Sequence, residues 1–374
     1  MRTRILFFLV FFLISCFEPE KHEGKEKNDL SYTKNFEITD YSGCQRVIVH
    51  NPWQKSQGES FSYILTSDPE SLPDSLQACS VIKTPVEKVI TFSSTHVGFI
   101  SALGKSSSIV GVSGKGFISD TIVRINLEKK TCLDIGFSPN IDFESILLLK
   151  PDLVFLYGLD PSVLGLVERL KEVGIQSVLV AEFLEDHPLG KAEWVRFFSA
   201  FYSSGQTGDS IFREVRLNYI SWKDSVAEIT RKPSVLVGLP WKDTWYMAGG
   251  KSFTARFIED AGGKYLWSDN LNTDFIPLDL ESVFQRALHA EIWINTGNAG
   301  NKSDILSVDQ RFQHVPAFQS GELYNNNLRL NATGGNDFWE SGAVRPDWVL
   351  RDLISIFHPA ELGKHEFYYY RKLE

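Results

Sequence analysis

The chain has 374 residues, 43% of them hydrophobic and 23% charged, and a net charge of −9. The length allows two domains, and the apolar share is that of a soluble globular protein. The acidic balance argues against a nucleic-acid partner, which requires a basic footprint.

Arg2 and Arg4 precede an apolar run over 5–14 and then Ser15-Cys16. A basic start, a short apolar core and a small residue before the cut read as a secretory signal over residues 1–15. The run is too short to span a bilayer. Leu13-Ile14-Ser15-Cys16 resembles a bacterial lipobox, in which Cys16 is lipidated and becomes the mature N-terminus; membrane attachment would then be through the lipid alone. Loss of 1–15 takes the net charge to −11, since that stretch holds two arginines and no acids. Residues 16–32 are rich in Glu, Lys, Asp and Gly and read as a disordered tether.

Residues 33–83 predict a short β-rich extension, with alternating or β-branched runs at 36–39, 46–49 and 62–65 between turn residues. Cys44 and Cys79 lie in it and can pair in an oxidising compartment, which would leave Cys132 alone. With an odd count no disulfide framework follows. No cysteine spacing matches a zinc or redox motif.

From Thr84-Pro85 onward, strands alternate with helices. Strands are predicted at 88–92, 108–112, 153–157 and 177–181, with helices at 98–103, 143–149 and 162–173 between them. This grammar predicts an α/β lobe over 84–205 with a mostly parallel sheet. Phe212, Val215, Tyr219, Trp222, Val226 and Ile229 then form one apolar stripe at helical spacing. They predict a long connecting helix over 206–232, capped at Gly208-Asp209 and stopped by Pro233. A second α/β lobe follows over 233–374, with strands at 234–238, 292–295 and 322–325 and helices at 255–261, 280–287 and 346–357. The stretch Asp142-Phe143-Glu144-Ser145-Ile146 returns as Asp279-Leu280-Glu281-Ser282-Val283, one copy per lobe.

Ligands of α/β sheets bind outside the carboxyl ends of the strands. The loops expected there carry glycines, polar groups and large aromatics, a composition suited to a sizeable, partly flat ligand. His96, Phe117, Tyr157, Trp241, Trp245, Tyr246 and Trp339 are the candidate lining residues. Each aromatic would otherwise be core or hinge packing, and His96 would otherwise cap its helix or satisfy a core hydrogen bond. GxSxG, HExxH, P-loop and GxGxxG motifs are absent. No cofactor or metal site is indicated; His358 and His365 beside Glu361 and Glu366 read as solvated surface. An exported α/β hydrolase using Asp243, Asp337 or His96 is the alternative from another class, although nothing in the sequence pairs those groups.

Several runs together carry a family resemblance: PVEKVITFSS at 85–94, ISALG at 100–104, SIVGV at 108–112 and DFESILLLKPDLV at 142–154. In the second half AGG at 261–263, LESVF at 280–284, GELY at 321–324 and RPDWVLRDLI at 345–354 agree. The chain from about residue 84 onward resembles the substrate-binding lipoproteins of ABC importers for iron–siderophores, haem and cobalamin. The NDFWESG run at 336–342 is most similar to the branch found in Bacteroidetes-type bacteria. The resemblance implies two Rossmann-like lobes joined by a single long helix, with the ligand cleft between them. It also implies a monomer that performs no chemistry, faces the periplasm or cell exterior, and delivers a metal chelate to an ABC permease dimer. The family's docking glutamates, one per lobe, match Glu144 and Glu281. Catecholate sites of this kind need several arginines to balance the anionic chelate. The loops here hold few, so a less anionic siderophore, a haem or a corrinoid all stay open.

Overall fold

A computed structural model describes residues 31–374, apart from 74, 75, 77, 78 and 138. The expected signal, Cys16 and the tether up to residue 30 lie outside the described residues.

The extension forms a four-stranded sheet: β1 (Phe36–Tyr41), β2 (Cys44–His50), β3 (Ser60–Thr66) and β4 (Ser80–Lys83). The first three are antiparallel, and β4 runs parallel to β3. The sheet is joined to the first lobe by Phe36, packed edge-on against Trp194 and Phe197, and by Tyr63, whose hydroxyl accepts from the Leu179 amide at 3.1 Å. Cys44 and Cys132 are buried free thiols.

The first lobe is built on a parallel sheet of β5 (Val89–Thr91), β6 (Ile109–Val112), β7 (Leu133–Asp134), β8 (Leu153–Leu156) and β9 (Ser177–Leu179), in the order β7-β6-β5-β8-β9. Strand β8 is buried along its whole length, as a sheet covered by helices on both faces requires. The second lobe repeats the plan with β10 (Ser234–Val237), β12 (Lys264–Tyr265), β14 (Ile292–Ile294) and β15 (Leu323–Asn325) parallel, and β16 (Arg371–Lys372) added antiparallel at the edge. A separate antiparallel ribbon pairs β11 (Thr244–Ala248) with β13 (Phe275–Asp279).

The helix Gly205–Ser225 joins the lobes and buries Phe212, Val215 and Tyr219, the predicted stripe. Its ends differ from expectation. It begins at Gly205, so Gly208 is not a cap but a contact. A Cβ on Gly208 would collide with the Ser199 side chain, so glycine is what lets this helix approach the Pro188–Phe201 helix. It ends at Ser225, eight residues before Pro233. The chain then tightens into three-residue turns at Val226 and Ile229, which carry the stripe onward without helix.

Ser31 and Tyr32, expected in the tether, are part of the folded body. The Tyr32 and Thr33 amides donate to the buried Glu193 carboxylate at 2.8 and 3.1 Å, and the Thr33 hydroxyl donates to Glu185 at 2.6 Å. The residues 31–33 lack the apolar content of a core but supply unpaired donors, and two buried carboxylates use them.

Candidate functional site

Both lobes carry large exposed aromatics, on loops and, for Tyr246, on β11. Phe117, Tyr157, Trp241, Tyr246 and Trp339 are between 39% and 64% exposed, well beyond what core rings show. In the first lobe, Phe117 packs edge-on against Phe137 at 5.7 Å, and Tyr157 against Phe183 at 6.0 Å. Asp134 fixes the turn beneath Phe117 by accepting the Gly114 and Gly136 amides. In the second lobe, Trp339 stands edge-on to Phe338 at 4.9 Å, and Lys242 lies over the Trp241 ring at 4.5 Å. Among the described residues no ring pair joins these exposed aromatics of one lobe to those of the other.

The 331–341 segment of the second lobe crosses to the first and holds the two together. The Asn331 side-chain amide donates to the Ile118 carbonyl at 2.8 Å, and the Thr333 hydroxyl to the Gly116 carbonyl at 2.7 Å. The Thr95 hydroxyl donates to the Trp339 carbonyl at 3.1 Å. Glu340, almost fully buried, accepts the Ser119 and Asp120 amides at 2.7 Å each. Burial pushes its carboxyl up to about 8, against the downward pull of those amides. Gly98 makes this latch possible, because a Cβ there would run into the Glu340 carbonyl.

Two expected lining residues are elsewhere. Trp245 is fully buried and donates its indole N–H to the Val237 carbonyl at 3.1 Å. It lies on β11, where residues alternate in facing, so Trp245 and Met247 turn inward and Tyr246 outward. His96 is also fully buried, in the first turn of the Ser94–Ala102 helix. Neither of its ring nitrogens has a hydrogen bond of ordinary geometry, and its Nε2 lies 3.8 Å from the buried Glu182. Burial lowers its pKa to about 3, so the ring is neutral.

The acid–base groups of the hydrolase alternative are spent or scattered. Asp337 is held by Arg329 at 2.9 Å, Asp243 sits on an exposed turn, and His96 is sealed in the first lobe. His365 and His358 are not solvated surface. His365 bonds the buried Asp352 at 2.7 Å, which also accepts the Tyr368, Tyr369 and Tyr370 amides, and His358 faces the Gly262 carbonyl. Among the described residues no cluster of metal-ligating side chains occurs.

A cavity of about 670 Å³ opens on the flank between the Ser94–Ala102 helix, the connecting helix and the 328–348 segment. Two of its three arginines are already engaged, and the third, Arg124, is exposed. Arg329 stacks on Tyr368 and pairs with Asp337, while Arg345 stacks on Trp348 and pairs with Asp347 and Glu214. Phe117, Tyr157, Trp241, Tyr246 and Trp339 do not line this flank cavity.

Glu144 and Glu281 both stand exposed in the first turn of a helix. Their caps are superimposable in chemistry. Asp142 accepts the Ser145 amide at 3.0 Å and its hydroxyl at 2.6 Å; Asp279 accepts the Ser282 amide at 2.8 Å and its hydroxyl at 2.6 Å. Those bonds hold both aspartates below the usual carboxylate range.

Two α/β lobes on a helical connector, with aromatic loops at the strand ends, define a solute-binding protein of the two-lobed, helix-linked class. The sequence profile of the periplasmic binding protein family matches residues 89–326, and the chain belongs to that family. It is 25% identical over 371 residues to an uncharacterized lipoprotein of Methanocaldococcus jannaschii, covering 92% of this chain and 85% of that one. A second uncharacterized lipoprotein of the same organism is 27% identical over 310 residues, covering 78% and 75%. Solved structures share the fold. The periplasmic heme-binding protein RhuT from Roseiflexus sp. RS-1 superimposes with a TM-score of 0.56 at 23% identity, covering 74% of this chain and 99% of that one. The periplasmic vitamin B12 binding protein BtuF of Vibrio cholerae gives 0.52 at 14% identity, covering 75% and 99%. An ABC-type Fe3+-hydroxamate transport system from Saccharomonospora viridis gives 0.54 at 17%, covering 73% and 94%.

Proposed function

We propose that this protein is an extracytoplasmic solute-binding lipoprotein, anchored through Cys16, that captures a metal chelate of the iron–siderophore type and delivers it to an ABC importer. The observation that carries this reading is the set of five exposed rings, Phe117, Tyr157, Trp241 and Trp339 on loops and Tyr246 on β11, drawn from both lobes. Rings of this size left in water serve a flat or bulky ligand better than they serve the fold. Haem and corrinoid are the other ligands of the same reading, and relatives of this fold are named for heme and vitamin B12 binding. The permease would read Glu144 and Glu281, whose matched caps place two carboxylates at the same helical position, one per lobe. Individually such exposed charges contribute little; at fixed separation they set orientation and encounter rate. Calorimetric titration with ferrichrome, haemin and cyanocobalamin tests the ligand class. One of them binds at micromolar concentration or tighter, and silence from all of them removes the metal-chelate reading.

A further inference from the structure

Beneath Trp339 lies a crevice of about 10 Å³, lined by Phe253, Phe257, Phe338, Trp339, Val349 and, as its one charged group, Lys191. An adjoining crevice of about 30 Å³ shares the four rings. Lys191 belongs to the Pro188–Phe201 helix of the first lobe, and its ammonium lies 5.2 Å over the Phe253 ring of the second. It therefore reaches from the first lobe to the second. It is half-buried and, among the described residues, makes no ion pair or hydrogen bond. The other cations near the cleft are exposed or spent: Lys115 and Lys242 face water, and Arg329 and Arg345 hold carboxylates.

An ammonium set among rings without a counter-ion costs free energy, and folded proteins ordinarily pair such a group. The carboxylates behind it, Glu182 and Glu185, attract it without forming an ion pair or hydrogen bond with it. Glu185 already accepts from Thr33 and from the Trp194 indole. Glu182, buried to 2% exposure, keeps one carboxylate oxygen without a partner, and both nitrogens of His96 beside it are likewise unpartnered. Burial raises the Glu182 pKa and lowers that of Lys191, each against the attraction of the other.

We propose that Lys191 is the internal counter-ion of the cleft, seating a carboxylate of the bound chelate, and that the natural ligand is therefore a carboxylate-bearing chelate. This rests on the ligand-capture reading above. The crevice is of the order of one water-sized group, which admits the tip of a carboxylate and not a phosphate or sulfate. A lysine acts as a compact point donor, suited to one oxygen of a planar group. The surrounding rings would cover the rest of the ligand and keep water from the contact, which strengthens it.

Matched probes separate the two claims. Haemin and its dimethyl ester differ only in two carboxylates, as do cyanocobalamin and its monocarboxylic acid in one; a ferric carboxylate siderophore is compared with neutral ferrichrome. The wild type should bind the carboxylate member of one pair at least about tenfold more tightly, the scale of a hydrogen bond to a charged group. Lys191→Met should remove that preference and leave the neutral member's affinity unchanged, and Lys191→Arg should keep part of it. Because the ammonium is unpaired, Lys191→Met should melt no lower than the wild type. Equal binding of both members, or a neutral ligand preferred, overturns the proposal while the cleft reading stands. So does a Lys191→Met variant that loses both members alike or melts markedly lower. If no probe binds the wild type, both fall.

Discussion

The helix Phe143–Leu149 in the first lobe and the helix Leu280–Ala287 in the second start from the same cap and meet different surroundings. Each opens with an aspartate that accepts an amide and a hydroxyl from the serine three residues on, and each places a glutamate at the second helical position. In the second lobe Arg311 donates to Glu281 at 2.6 Å while it also grips Asp309 at 2.7 Å. Glu144 makes no ion pair among the described residues, and Leu148 one turn on is 75% exposed. The repeated sequence thus encodes a repeated cap. The charge each glutamate presents is set by residues that do not repeat. A partner that reads both lobes would meet a free carboxylate on one and a carboxylate already shared with an arginine on the other.

The largest effect expected from breaking this pairing is on delivery. The double variant E144A/E281A should keep its affinity for ligand and lose, by a hundredfold or more, its stimulation of the importer's ATPase; undiminished stimulation would reduce the two glutamates to helix-terminus residues. The interlobe latch comes next, through pH. The folded protein holds the Glu340 proton more tightly than the unfolded chain, since burial lifts the group from 4.5 to about 8. Its contribution to stability is complete below about pH 4.5 and is lost as pH rises through 8. Denaturation across that window should show stability falling with pH, and E340Q should flatten the slope. The caps themselves are worth less. D142A and D279A should each cost about 1 kcal/mol, by equal amounts if the echo is a capping motif; unequal losses, read by urea titration, would show that only one of the two helices depends on its cap. Smallest is R311A, which frees Glu281. Removing its two ion pairs, to Glu281 and Asp309, should change stability by about 1 kcal/mol or less. It should also raise the permease on-rate modestly at low salt, an effect that vanishes at high salt.

The parts of the molecule that the sequence revealed are those fixed by local period. The strand–helix alternation, the buried stripe of the connecting helix and the terminal Pro346–Phe357 helix all follow from spacing that a single segment carries. What it did not reveal depended on partners distant in sequence. The ribbon of β11 and β13 looked like a strand-end loop because its pairing strand lies about thirty residues on. The alternation Thr244-Trp245-Tyr246-Met247 was the available signal, and it puts Trp245 in the core. His96 and Lys191 were misjudged or missed for a related reason: a lone polar residue in an apolar helix gives no hint of whether its neighbours in space will pair it. The capping of Tyr32 and Thr33 by Glu193 joins positions about 160 residues apart, which no local reading reaches. Gly98 and Gly208 are legible only once the group that crowds each is known.

The claim on which the rest depends is that the exposed rings of the two lobes receive a metal chelate. Tryptophan fluorescence of the wild type and of W241A/W339A, titrated with ferric siderophores, haemin and cobalamin, tests it directly. The account predicts saturable one-to-one quenching at micromolar concentration or below by one of these ligands, weakened by roughly ten- to a hundredfold in the double variant, as loss of buried aromatic anchors entails. Quenching by none of them, or equal affinity in the double variant, would contradict it.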